Sequence, residues 1–132
     1  MGKSKKKKIR RSQRCRNALK KCKIMEDNVR GVKSKINSIK DIINEEEPTI
    51  IALTETKLKE EDKIEIEGYT IKRRDRVEEG GGVMIAYKDG IKNIVQVVRE
   101  EYREFEMLWI KIDNTVVKVR IGVICPKKIK RR

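Results

Sequence analysis

Residues 48–57 read Pro48-Thr49-Ile50-Ile51-Ala52-Leu53-Thr54-Glu55-Thr56-Lys57. Ile50 to Leu53 are uniformly apolar, with proline shortly before them and polar residues after, and show no period-two alternation. A strand with water on one face alternates, so this one is expected to be covered on both. It therefore requires a sheet with layers on two sides, and the flanking sequence is read for those layers.

Upstream, Ser34 precedes Ile36, Ile39, Ile42 and Ile43, whose spacing of three, three and one predicts a helical stripe. Glu45, Glu46, Glu47 and Pro48 close it. Isoleucine is only a moderate helix former, so packing of the stripe has to hold this segment. Lys23 to Glu26 is a weakly patterned extended segment, because Ile24 and Met25 run directly into Glu26 and Asp27. Asn28 is expected in the loop that follows.

Downstream, Tyr69 to Arg74 and Val83 to Tyr87 form an expected hairpin across Gly80, Gly81 and Gly82, where glycine supplies positive φ or close backbone approach. The glycines are not a phosphate loop, since the lysine and hydroxyl of GxxxxGK[ST] are missing and a strand follows. Further strands are expected at Ile94 to Val98, Phe105 to Ile112 and Val116 to Ile124, with Asp113-Asn114-Thr115 as the last turn. In the second of these, alternation sets Phe105, Met107 and Trp109 on one face, and core packing is the reading for Trp109. About six strands to one good helix give an α/β fold with a mixed, mostly antiparallel sheet and one main helix.

Charge is unevenly spread along the 132 residues. Residues 1–23 hold 12 basic side chains and no acidic one, and residues 127–132 add 5. The other 18 basic residues (35 less 17) face all 21 acidic ones, so a net charge of +14 reduces to −3 for the body. Residues 1–22 are expected to be a disordered basic arm, 23–126 the folded domain and 127–132 a basic tail. Lys5, Lys6, Lys7, Lys8, Arg10 and Arg11, with Arg30 in the body, are candidate nucleic-acid-binding residues acting on backbone phosphates, because no aromatic residue in the arm offers a stacking surface. The same runs make a nuclear address plausible, and the expected location is nuclear or otherwise intracellular. Cys15, Cys22 and Cys125 are odd in number and lack CxxC spacing, which fits a reducing compartment. No stretch approaches the roughly 18 apolar residues of a membrane span, so no membrane partner is expected.

The chain contains no histidine, which excludes imidazole acid/base chemistry, the usual serine triads and His-ligated zinc from its own residues. Carboxylates and amides remain. Asn28 and Glu55 would both lie at one sheet margin, where ligands of open α/β sheets collect, and such oxygen donors suit Mg²⁺.

In sequence order, Asn28-Val29-Arg30-Gly31, Lys35-Ile36-Asn37-Ser38-Ile39, Pro48 to Lys57, Gly68-Tyr69, Arg73-Arg74-Asp75, Gly80-Gly81-Gly82-Val83 and Val123-Ile124 resemble the opening of the endonuclease/exonuclease/phosphatase superfamily. The likeness is greatest to the apurinic-type endonuclease domain of non-LTR retrotransposons. It spans about residues 23–126, most of this chain but only the first half or so of the family's domain. The resemblance implies half of a four-layer α/β sandwich, a truncated Mg²⁺-dependent endonuclease-like domain hydrolysing phosphodiesters, with DNA the favoured substrate, and weak or inactive by itself. It assigns catalytic positions to Asn28 and Glu55, with Glu55 the metal ligand. Glu26 and Asp27 depart from the apolar residues usual before the asparagine, and Cys125 stands where the family tends to place a tyrosine. A half-sandwich leaves one sheet's inner face bare, so an exposed apolar surface and self-association through it are expected. The alternative is a non-catalytic basic nucleic-acid-binding protein.

Overall fold

The computed structural model describes residues 22–75, 81–102, 105–113 and 118–126. In chain order these form β1 (Ile24–Asn28), α1 (Ile36–Glu46), β2 (Ile50–Thr54), β3 (Tyr69–Arg74), β4 (Val83–Lys88), β5 (Val95–Tyr102), β6 (Phe105–Asp113) and β7 (Lys118–Pro126), with short 3₁₀ segments at Lys33–Lys35 and Asp89–Ile94. The fold is α/β, with one main helix and two sheets. One sheet is four-stranded and mixed, in the order β1-β2-β4-β3; the other is three-stranded and antiparallel, in the order β5-β6-β7.

The Ile50 to Leu53 segment behaves as its composition dictates. On one face, Ile51 and Leu53 of β2 and Met84 and Ala86 of β4 pack with Ile39 and Ile43 of α1 and with Val29, Val32, Leu58 and Ile66 from the loops. Towards the other, Ile50, Ala52, Val83, Ile85 and Tyr87 meet Leu108, Ile110 and Ile112 of β6 and Val123 of β7. Each such aliphatic side chain taken out of water contributes about 1.5–3 kcal/mol before entropy is charged against it. The expectation of a bare inner face is therefore corrected for these central strands: sheet β5-β6-β7 covers it. Among the described residues the exposed large apolar side chains are Ile24 and Ile42, at 51% and 42%.

Three further expectations change. β1 runs to Asn28, so Asn28 ends a strand instead of lying in a loop. Glu26 and Asp27 are tolerated because β1 is an edge strand whose pairing uses backbone groups, and charge on an edge also discourages pairing with another chain. The isoleucine stripe is Ile36, Ile39 and Ile43; Ile42, one residue before Ile43, lies about 100° round the helix from it and is exposed. Trp109 alternates with the buried Leu108 and Ile110 and so faces away from the inter-sheet core. It lies half-buried over Gly122, where an added Cβ would come within 2.2 Å of the indole, and the Arg120 guanidinium sits 5.6 Å from its ring centre.

The hairpin reading of β3 and β4 holds, in register from Tyr69 opposite Lys88 to Arg74 opposite Val83. Gly80, Asn114 and Thr115 lie outside the described residues. No helix among those described is long and apolar enough to cross a membrane.

Candidate active site at the strand rim

Pairing register builds the site. β1 and β2 are parallel with Asn28 opposite Thr54, β2 and β4 are antiparallel with Thr54 opposite Val83, and β3 and β4 are antiparallel with Arg74 opposite Val83. Asn28, Thr54, Val83 and Arg74 thus stand abreast across the sheet, and Glu55, Gly82 and Asp75 come immediately beyond them at one rim. Adjacent strands are about 4.8 Å apart, so Asn28 and Glu55 are neighbours at this margin although 27 positions separate them in the chain.

The segment after β2 is held from both sides by backbone hydrogen bonds. On the β1 side, Val29 N–H donates to Thr54 O at 3.1 Å, Gly31 N–H to Glu55 O at 2.8 Å and Val32 N–H to Thr56 O at 3.0 Å. Opposite, Lys57 N–H donates to Gly81 O at 2.8 Å and Thr56 N–H to Gly82 O at 3.4 Å. Val29, Val32, Thr56 and Leu58 are buried beneath this lattice. Glu55 emerges half-buried from a fixed backbone; Asn28, Arg30 and Lys57 are exposed around it.

That backbone is strained. Arg30, Glu55 and Lys57 take φ of 48°, 53° and 53°, and Gly31, Gly81 and Gly82 take 107°, 79° and 89°. Left-handed non-glycine residues cost of order 1 kcal/mol or more and persist only where surrounding contacts over-determine them. Such strain gathers at functional sites, and here six of the eight described residues with positive φ lie at one rim.

Beyond β3, Arg73 Nη2 donates to Lys59 O and Glu60 O, both at 3.2 Å, and its Nε lies 3.1 Å from Asp75 Oδ2. Asp75 Oδ1 is buried and has no partner among the described residues. Burial raises the Asp75 carboxyl above its usual range, against the opposing pull of the Arg73 charge. An open cleft of about 470 Å³ is lined here by Lys59, Glu60, Arg73, Arg74, Asp75 and Arg99.

Among the described residues no group of three or more His, Cys, Asp or Glu side chains is gathered to grip a metal. The Glu55 carboxylate and Asn28 amide nevertheless form a donor set suited to Mg²⁺, which keeps several waters and takes one or two carboxylates together with substrate phosphates. Lys5, Lys6, Lys7, Lys8, Arg10 and Arg11 lie outside the described residues; Arg30 is on the rim, immediately after Val29. Reading the sequence missed the hold of Gly81 and Gly82 on the Glu55 loop and the Arg73–Asp75 arrangement. The available signal was the glycine run itself, since only close approach or positive φ rewards several adjacent glycines.

Two sheets packed face to face, with Asn28 and Glu55 brought to one strand rim, define a two-sheet α/β class of domain. The family model of the Endonuclease/Exonuclease/phosphatase family matches residues 27–126, and the chain belongs to that family. Among solved structures it is similar to AP endonuclease LMAP from Leishmania major, at 17% identity and a TM-score of 0.58, covering 80% of this chain and 39% of that one. It is also similar to an AP endonuclease from Archaeoglobus fulgidus, at 20% identity and a TM-score of 0.51, covering 75% of this chain and 39% of that one. The chain thus spans about two fifths of each of those proteins, and at these identities the likeness is one of fold. Comparison with curated proteins returns no significant match.

Proposed function

We propose that the chain is a phosphodiesterase-type domain acting on nucleic-acid backbones, DNA in preference, with Mg²⁺ held by Glu55 beside Asn28, and that it is slow by itself. The observation that carries this reading is the parallel register of β1 and β2, which makes Asn28 and Glu55 neighbours at a strained rim within the family-matched region. The order of the Asn28, Glu55 and Gly80 to Gly82 segments supports the retrotransposon-type branch of the family.

In this reading Glu55, fixed in direction by the lattice around residues 54–57, presents its carboxylate to the cation, and the Asn28 amide orients a phosphate oxygen. Arg30 and Lys57 draw the polyanionic backbone towards the rim by charge. A divalent cation bound there supplies stabilisation of charge on the scissile phosphate and the leaving oxygen. Because the chain has no histidine, activation of the attacking water has no imidazole to call on, and slow turnover follows.

Nicking of supercoiled and abasic-site DNA in Mg²⁺ tests the reading. The intact chain should cleave above an EDTA blank, and Glu55→Ala should lower that rate by about 10²-fold. Cleavage by the variant at the rate of the intact chain removes Glu55 from the reaction. The polarity of charge along the chain also favours a second reading, non-catalytic binding through the basic ends, with a nuclear address in the same residues. Retained DNA binding without any nicking above the blank would select it.

A further inference from the structure

The loop carrying Glu55 ends in a small closed turn. Asp62 N–H donates to Lys59 O at 2.9 Å, Lys59 N–H donates to Asp62 Oδ2 at 2.8 Å, and Lys33 Nζ lies 2.5 Å from Asp62 Oδ1. Between Glu55 and that turn, buried Thr56 and Leu58 alternate with exposed Lys57. Lys59, Glu60 and Glu61 are exposed, and the Asp62 side chain is covered by its polar partners within the turn and on Lys33, so no apolar side chain of the turn itself fixes it to the sheet. Arg73 does. From β3, on the far side of β4, its guanidinium reaches two successive carbonyls of the turn with Nη2 while Nε holds Asp75. A rigid planar fork makes such a three-point grip, and the Asp75 carboxylate keeps the fork oriented.

We propose that Arg73 is a positioning residue for Glu55: by clamping the Lys59–Asp62 turn to β3, with Asp75 orienting the clamp, it fixes the distal end of the Glu55 loop. The proximal end is already fixed by the rim lattice. The lattice holds the strained backbone at Glu55 and Lys57, and the clamp keeps the segment that follows them from pulling on it. The metal-related part of this inference rests on Glu55 being the metal-holding carboxylate; the clamp itself does not.

The full 132-residue chain is compared with Arg73→Lys and Arg73→Met. Backbone hydrogen exchange is read at residues 55–60 and at 84–87 in β4, and Mn²⁺ affinity is read by electron paramagnetic resonance. A lysine keeps the charge but brings one nitrogen where the fork brings several. Both variants should therefore exchange faster at 55–60, with 84–87 unchanged, and bind Mn²⁺ about tenfold more weakly, the scale expected when a group that supports a metal ligand is removed. Three results overturn the clamp: protection at 55–60 unchanged in both variants, protection and affinity restored by lysine, or faster exchange spread equally through 84–87, which makes Arg73 a general stabiliser. Failure of the intact chain to bind Mn²⁺ counts against the reading of Glu55, whereas the exchange comparison still decides the clamp.

Discussion

Gly82 and Gly68 have nearly the same φ, 89° and 82°, in different surroundings. A Cβ at Gly82 would sit 2.6 Å from Thr56 Oγ1, whereas one at Gly68 would meet nothing within 4 Å. Gly68→Ala carries the backbone penalty alone, about 1 kcal/mol, and Gly82→Ala adds a clash with a fully buried side chain, for a total of about 2–3 kcal/mol. Urea midpoints of the two variants measure the difference. Asp75 bears on pH. Its folded-state carboxyl is raised, chiefly by burial, so the folded chain holds that proton more tightly than the unfolded one. The stability this gives is present below the ordinary value of 3.8 and is lost as pH climbs through the raised folded value. Asp75→Asn, which keeps an oxygen for Arg73, should gain on the intact chain in urea unfolding as pH rises from about 4 towards neutrality. Position was legible at this scale and conformation was not. Glu55 follows an apolar run that had to be a strand, which sets it at a strand end. Nothing in glutamate or lysine announces a left-handed backbone, because hydrogen bonds from distant residues impose it.

Among the elements, α1 offers an internal control. Ile39 and Ile43 are buried against β2 and β4, and Ile42 between them is exposed. Ile39→Ala or Ile43→Ala should cost about 2–5 kcal/mol, and Ile42→Ala less than about 1 kcal/mol. Chemical denaturation distinguishes them, and equal losses would contradict the packing described. The helix ends where its sequence says it should: Glu47 adopts a left-handed C-cap, its N–H donating to Ile43 O at 2.8 Å, and Pro48 follows. β1 was harder to read. Pairing on an edge needs only backbone groups, so Glu26 and Asp27 could hide a strand that the parallel ladder to β2 defines.

For the whole molecule, composition announced a near-neutral body with cationic ends, and the two-sided burial of β2 was legible in its unbroken apolar run. The identity of the second cover was not, because it comes from strands that begin 41 or more positions after β2 ends (95 less 54), whose alternation fixes two faces without naming their partner. The charge distribution carries its own test. Deleting residues 1–22 removes 11 basic side chains. DNA affinity should then fall, and the slope of log K against log salt should flatten by up to about 0.9 for each phosphate that is no longer neutralised. An unchanged slope would mean that the body supplies the cationic groups that engage DNA.

The chain has a single tryptophan, Trp109, on the face of the second sheet turned away from the core, with a guanidinium beside its ring. That placement gives the protein an intrinsic optical probe. Emission excited at the red edge of indole absorption reports only this site, and its wavelength shifts to the blue when another surface excludes water from the outer sheet. Occupation of that face can be followed in dilute solution without any label.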